Sequence, residues 1–356
     1  MKILFSGGGT LGPVTPLLAI HETIKKTYPN SHFLWVGTRR GPEQELVEQA
    51  GISFSTLSSG KFRRYISLWN IIDITRIFIG FFQALKLLWK EKPNFCVSAG
   101  GFVSVPIHWA AWWLGIPTWV HQQDMAIWLA NKLMVPFARV ITTSLKIHLD
   151  SFPKCKTVWL GNPVRPEIIT GSREDALKLF KLDPKLPVIF ATGGGTGSLR
   201  INQLIIEAIP NLKGICQVIH LSGKERPREL VERAVNSFSD YYQVHQFFTN
   251  EMAHAYAIAD IVISRGGFGT ISECAALGKP LIIIPKPGHQ IQNVKFLESV
   301  EAVIFMNEQT VDGNYVAKII KELLTNNIRR ARLGKNLNKL LPMAGEGDIL
   351  RIVRGL

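Results

Sequence analysis

The chain is poor in acidic residues and in cysteine. Its 356 residues hold 27 Asp+Glu against 41 Lys+Arg, a formal charge of +14, and 4 cysteines. Cys96, Cys155, Cys216 and Cys274 are scattered in or beside apolar runs with no C-x-x-C pair. That spacing excludes a disulfide framework and a zinc ribbon, and a reduced, cytosolic setting is expected. A signal peptide is not expected either, because Met1-Lys2 passes directly into an apolar strand without an A-x-A pattern. Low-complexity sequence is absent. Between Pro93 and Gln123 there is no Asp, Glu, Lys or Arg, and Trp109, Trp112, Trp113 and Trp119 lie within this stretch. Gly100-Gly101, Pro106 and Gly115-Ile116-Pro117 nevertheless cut it into pieces shorter than the roughly 20 residues a membrane-spanning helix needs. A buried βαβ unit is expected there.

What is present is globular: 46% hydrophobic and 19% charged residues, on a chain long enough for two domains. The basic excess is concentrated in residues 1–160, at +9, with +5 in the remainder. Such a balance fits nucleic acid, an anionic membrane surface or a polyphosphate substrate. Strand and helix patterns alternate throughout, which predicts parallel α/β sheets. In the first half, strands are expected near residues 3–6, 32–36, 54–57, 95–98, 118–120, 140–143 and 158–160. The second half is expected to add strands near 188–192, 216–220, 242–246, 261–264, 281–284 and 302–305. The junction is placed at Gly161-Asn162-Pro163-Val164-Arg165-Pro166, giving domains 1–160 and 161–356, with a last helix near Ile349–Val353 that crosses back onto the first domain.

Three strands end in glycine turns. Ile3–Ser6 leads into Gly7-Gly8-Gly9-Thr10-Leu11-Gly12, and Val188–Thr192 into Gly193-Gly194-Gly195-Thr196-Gly197-Ser198. Glycines allow a sharp turn and close approach to an anion, and the helix behind them presents free N–H groups and a partial positive charge. Gly7-x-Gly9-x-x-Gly12 matches a dinucleotide motif, but the second strand ends Val36-Gly37-Thr38-Arg39-Arg40 and lacks the acid that would hold a ribose, which disfavours NAD. The second loop lacks the Gly-Lys-Ser/Thr ending of a nucleoside triphosphatase. The third segment, Ser264-Arg265-Gly266-Gly267-Phe268-Gly269-Thr270-Ile271-Ser272-Glu273, is followed by His289-Gln290-Ile291-Gln292-Asn293. A glycine turn for a diphosphate, a glutamate one turn into a helix for ribose hydroxyls, and a Gln/Asn-rich turn for a sugar together describe a nucleotide-sugar pocket.

With these motifs, the chain resembles the MurG-type glycosyltransferases over nearly its whole length. Ser59–Tyr65, Gly100–Pro106, His121-Gln122-Gln123-Asp124, Leu129–Lys132 and Gly161–Arg165 extend the match. The resemblance implies a GT-B fold of two facing Rossmann-like domains with a cleft between them. It implies inverting transfer of N-acetylglucosamine from UDP-N-acetylglucosamine to the muramoyl 4-hydroxyl of undecaprenyl-diphospho-muramoyl-pentapeptide, for peptidoglycan synthesis, at the cytoplasmic face of the cell membrane. On the donor side it implies Arg165 and the Phe248 backbone at the uracil and Gly195 and Thr196 at the phosphates. Phe268, Gly269 and Thr270 would lie beside the diphosphate, Glu273 on the ribose, and His289 with Gln290 on the sugar. Thr10, Leu11, Gly12, Gly100, Gly101 and Asn131 would lie on the acceptor side. No cofactor is required; Mg2+ remains compatible, but no ligand cluster implies a metal, and helix N-termini and loop amides would assist UDP departure.

The sequence departs from the family on the acceptor side. Pro13 stands where a histidine is usual, Gln122 replaces a glutamate, and Ala126-Ile127-Trp128 replaces Thr-Pro-Gly. Asp124, with His121 behind it, is the remaining candidate base. The departures leave two alternatives open: a transferase or epimerase using another UDP-sugar or acceptor, and an inactive nucleotide-sugar-binding protein. Nucleic-acid binding would explain the charge but not the glycine loops. Finally, residues 61–92 interleave Lys61, Arg63, Arg64, Arg76, Lys86, Lys90 and Lys92 with Trp69, Phe78, Phe81, Phe82 and Trp89. That composition predicts docking on an anionic membrane surface.

Overall fold

The computed structural model describes residues 1–39, 41–60, 68–194, 197–223, 238, 240–248 and 250–356, without the side chains of 68–74 and 289. Gly195, Thr196, Arg40 and residues 61–67, together with the side chains of Trp69 and His289, therefore lie outside what is described. The chain divides into two compact units, Met1–Arg165 with Ala344–Leu356, and Pro166–Met343.

Unit 1 is a seven-stranded sheet in the order β3-β2-β1-β4-β5-β6-β7, every neighbouring pair parallel. Its strands are β1 (Lys2–Ser6), β2 (His32–Gly37), β3 (Ser53–Thr56), β4 (Phe95–Ser98), β5 (Thr118–Gln122), β6 (Val140–Thr143) and β7 (Thr157–Trp159). The intervening helices include α1 (Val14–Thr27), α2 (Glu43–Gln49), α3 (Leu68–Glu91), α4 (Ser104–Trp113) and α5 (Leu129–Met134). The central strands are apolar along their length because helices cover both faces, so Ile3, Phe5, Trp35 and Trp119 are fully enclosed.

Unit 2 is a six-stranded parallel sheet, β10-β9-β8-β11-β12-β13. It comprises β8 (Val188–Thr192), β9 (Gln217–Leu221), β10 (Tyr242–His245), β11 (Ile261–Ser264), β12 (Leu281–Ile283) and β13 (Ile304–Phe305). Its helices include α6 (Arg173–Leu179), α7 (Leu199–Ala208), α8 (Met252–Ile258), α9 (Phe268–Ala276), α10 (His289–Ser299), α11 (Gly313–Thr325) and α12 (Asn327–Leu340). The two sheets give the chain a two-part parallel α/β architecture.

The division falls after Arg165 rather than at Gly161, and the chain returns to unit 1 at Ala344. The Ala344 N–H donates to the Asn162 carbonyl at 3.0 Å. The last helix, α13 (Glu346–Gly355), then buries Ile349 and Val353 in the core that holds Ile3, Leu17 and Trp119. Burial of each such side chain contributes about 1.5–3 kcal/mol.

The uncharged stretch after Pro93 does form strand, turn, helix and strand, but it is not buried throughout. Trp119 is enclosed, whereas Trp112 and Trp113 at the end of α4 are 54% and 70% exposed. Cys96, Cys216 and Cys274 are buried and Cys155 is exposed. Among the described residues no helix is long and apolar enough to cross a membrane.

Candidate active site

In each sheet the strand order reverses once, between β1 and β4 in unit 1 and between β8 and β11 in unit 2. At such a point the connections leave neighbouring strands in opposite directions, and the loops beyond the strand ends part to admit a ligand. All three glycine turns of the sequence fall at these two positions.

In unit 2, the loop after β8 folds back sharply: a Cβ on Gly193 would collide with the Ser198 nitrogen, so only glycine fits. Ser198 caps α7 by accepting from the Ile201 N–H at 3.3 Å. Its hydroxyl also accepts from the Arg265 guanidinium at 2.6 Å, and Arg265 pairs with Glu308 at 2.8 Å. The loops after β8 and β11 thereby enclose a cavity of about 480 Å³ lined by Gly194, Ser198, Arg265, Thr270, Lys286 and Gln290, among others. A hollow of about 590 Å³ beside Glu322, Thr325 and Asn326 lies at a helix corner, and no glycine loop lines it. The first cavity is suited to a diphosphate. The N-termini of α7 and α9 abut it, three cations (Arg200, Arg265 and Lys286) line it, and Gln290 is held at its rim by accepting from the Lys286 N–H at 3.2 Å.

Glu273 sits one turn into α9 and is 6% exposed. Its Oε2 accepts from the Tyr256 hydroxyl at 2.8 Å. Phe268 is buried at the start of α9. Phe248 is buried in an aromatic cluster, stacked on Phe190 at 6.3 Å and tilted against Phe180 and His245, so its side chain is occupied by packing. The structure therefore gathers the loop glycines, Thr270 and Gln290 around one cavity, while Phe248 stands apart from its lining and Arg165 belongs to unit 1. Arg265, Lys286 and Tyr256 received no role from the sequence. Only the Ser-Arg-Gly-Gly run at a strand end signalled the first of them.

In unit 1, Gly7–Gly12 and Gly100–Gly101 follow the two central strands. Beside them, Gln122 does what a glutamate could not. Its amide group donates to the carbonyls of Asp124 at 2.6 Å and Ala126 at 3.2 Å, while its Oε1 accepts from Asn131 Nδ2 at 2.7 Å. The Trp128 indole donates to Asp124 Oδ2 at 3.1 Å, and His148 Nε2 meets the Met125 carbonyl at 2.9 Å. The segment that departs from the family pattern is thus braced from within, with Asp124 half-buried in it.

His121 lies inside the fold. The ring is fully buried, with Nδ1 against Thr142 Oγ1 at 2.9 Å and Nε2 near both Ser144 Oγ at 3.1 Å and Asn162 Oδ1 at 3.2 Å. Desolvation lowers its pKa to about 4. A ring so enclosed ties β5, β6 and the Asn162 turn together. Among the described residues no group of His, Cys, Asp and Glu is arranged to hold a metal ion.

Residues 3–143 match the glycosyltransferase family 28 N-terminal domain, and residues 188–342 match the glycosyltransferase family 28 C-terminal domain. Among curated proteins, the UDP-N-acetylglucosamine–N-acetylmuramyl-(pentapeptide) pyrophosphoryl-undecaprenol N-acetylglucosamine transferase of Shouchella clausii is 38% identical over 322 residues, 90% of this chain and 86% of that protein. The protein of the same name from Lachnoclostridium phytofermentans is 34% identical over 343 residues, 95% of both chains. The crystal structure of Acinetobacter baumannii MurG superposes with a TM-score of 0.76 at 20% identity, covering 100% of this chain and 99% of that one. A UDP-GlcNAc 2-epimerase from Neisseria meningitidis superposes at 0.67 with 16% identity, a likeness of fold alone.

Proposed function

Because this chain belongs to glycosyltransferase family 28, we propose that it transfers N-acetylglucosamine from UDP-N-acetylglucosamine to the muramoyl hydroxyl of a polyprenyl-diphosphate-linked acceptor, the step that completes lipid II for peptidoglycan. The observation that carries this reading is the unit 2 cavity, where glycine loops, two helix N-termini and Arg265 converge, with Glu273, held by Tyr256, one turn further along the α9 helix whose start lines it. In this reading the diphosphate lies on the loop amides and on Arg265, and the ribose hydroxyls donate to Glu273. The transferred sugar is held by Gln290, with His289 beside it. The uracil meets the backbone of Phe248, whose ring is held by packing on Phe180, Phe190 and His245.

The acceptor hydroxyl attacks the anomeric carbon, the new C–O bond forms as the bond to the diphosphate breaks, and UDP departs carrying the negative charge. Loop amides and helix dipoles aimed at that charge stabilise it as it develops. Asp124, its Oδ2 fixed by Trp128, takes the proton of the attacking hydroxyl. Thr10, Leu11, Gly12, Gly100, Gly101 and Asn131 shape the acceptor side. UDP release that depends on added lipid I tests the whole proposal, and donor binding without turnover would favour an inactive receptor instead.

A lipid acceptor requires a membrane, and unit 1 carries a surface suited to one. On α3, Phe78, Phe82 and Trp89 are exposed, and on the neighbouring α4 Trp112 and Trp113 are exposed. Arg76, Lys86 and Lys90 on the same helix, and Lys92 just after it, are exposed. Aromatic side chains left in water beside cations suit peripheral docking on an anionic leaflet, each basic residue adding about 1 kcal/mol near the surface.

A further inference from the structure

The end of the second strand lacks an acid in the sequence, yet a carboxylate arrives there in the fold. Glu43, in the first turn of α2, is completely buried and turns back onto the β2 end. Its Oε1 accepts from the Thr38 N–H at 2.7 Å and from the Thr38 hydroxyl at 2.6 Å, and its Oε2 accepts from the Gly9 N–H at 3.2 Å. The seat is shaped by glycines from separate segments. A Cβ on Gly8 or on Gly41 would collide with the carboxylate, and one on Gly37 would come within 3.0 Å of it. The donor that a glycine-rich turn ordinarily offers to a phosphate is here taken by the protein's own side chain.

Other contacts fix the same loop. The Gly7 N–H donates to the Val36 carbonyl at 3.2 Å, and the Trp35 indole donates to the Gly7 carbonyl at 2.9 Å. Across the loop, Gly101 lies so close that a Cβ there would be 3.1 Å from the Gly8 oxygen. Thr10, Leu11 and Gly12 follow directly from a turn thus held on two sides. A phosphate at the Gly9 amide would meet a like charge at hydrogen-bond distance from the same group, and that repulsion is large in a buried site.

We propose that Glu43 is a positioning residue that fills the anion seat of the first glycine loop, so that this loop receives the neutral hydroxyls of the acceptor sugar and not its diphosphate. The inference rests on the transferase reading above. Glutamine at position 43 would set an amide donor against donors, whichever way it turned. Glu43→Gln is therefore expected to raise the KM for a lipid I analogue about tenfold while the KM for UDP-N-acetylglucosamine stays within about twofold. Thr38→Val is expected to shift the acceptor KM in the same direction by less, and Thr38→Ser to restore it, which decides the matter if the glutamine variant does not fold. Acceptor KM values unchanged in folded variants, or donor and acceptor KM values rising together, would overturn the proposal. A second measurement is independent of turnover. Acetate, compared with chloride at equal ionic strength, is expected to raise the melting temperature of Glu43→Ala and not that of the wild type; equal shifts in both would overturn it. Wild-type protein that releases no UDP with the lipid analogue would instead sink the transferase reading, leaving the acetate result to judge the seat alone.

Discussion

Tyr256 donates its hydroxyl hydrogen to Glu273 Oε2 at 2.8 Å, and both side chains are buried in unit 2. Burial, reinforced by the neighbouring Glu273 charge, pushes the phenol well above its usual range near 10, so the tyrosine remains a donor at any physiological pH. The carboxylate is thereby held in one orientation, the one the proposed ribose contact uses. Tyr256→Phe keeps the edge-to-face contact with Phe190 at 5.2 Å and removes only the donor. Its Kd for UDP, measured by calorimetry, is expected to rise about tenfold, the worth of one hydrogen bond to a charged group. An unchanged Kd would deny Glu273 its role on the ribose.

Asp124 is fixed by the Trp128 indole at 3.1 Å. Asp124→Asn is expected to lower the transfer rate by about 10²–10⁴ while leaving UDP affinity unaltered, as for loss of a general base. Trp128→Phe should give a smaller loss with the same selectivity, since the carboxylate persists but is less well aimed. Steady-state rates paired with UDP calorimetry separate these outcomes, and full activity in the asparagine variant would place the base elsewhere.

Acid should unfold this protein through its buried imidazoles. Burial lowers His108 and His121 to about 4 and His220 to about 3. An unfolded chain binds these protons near 6.5, so between that pH and the depressed values the unfolded state holds more of them. Stability is complete above pH 6.5 and falls as the pH drops through that window, each ring contributing on the order of 3 to 5 kcal/mol to the fall once the pH reaches its depressed value. The melting temperature is expected to decline from pH 7 to pH 4. His220→Gln, at a ring held by Tyr242 and Asn202, should show a shallower decline.

Phe82 and Trp113 are 66% and 70% exposed on the outer faces of α3 and α4. The double change Phe82→Glu/Trp113→Glu should weaken binding to anionic vesicles more than about tenfold, since burying each ring contributes about 1.5–3 kcal/mol. Co-sedimentation at low and high salt reads this directly. Binding that ignores both the substitutions and the salt would assign the patch to another partner.

Much of this was legible in the sequence because it is local. An apolar run ending in glycines, such as 188–194, specifies strand, turn and helix from neighbouring residues alone, and the strands of both sheets lie within a few residues of where alternation placed them. What escaped depends on residues distant in the chain. Tyr256 and Glu273 are 17 apart, and Glu43 and Gly9 are 34 apart. No periodicity announces such pairs. Composition also misled where a surface and a core use the same side chains: Trp112 and Trp119 share one uncharged stretch, and only the fold leaves the first in water and encloses the second. His121 stood at a strand end in a family motif, but its partners Thr142, Ser144 and Asn162 come from later segments and turn it inward.

The bond between Ala344 and Asn162 makes unit 2 a cassette spliced into the chain of unit 1. Its entry and exit lie side by side, so a short bridge from 165 to 344 should close the first half on itself. The excised 166–343 would then let the proposed nucleotide-sugar binding be measured apart from unit 1.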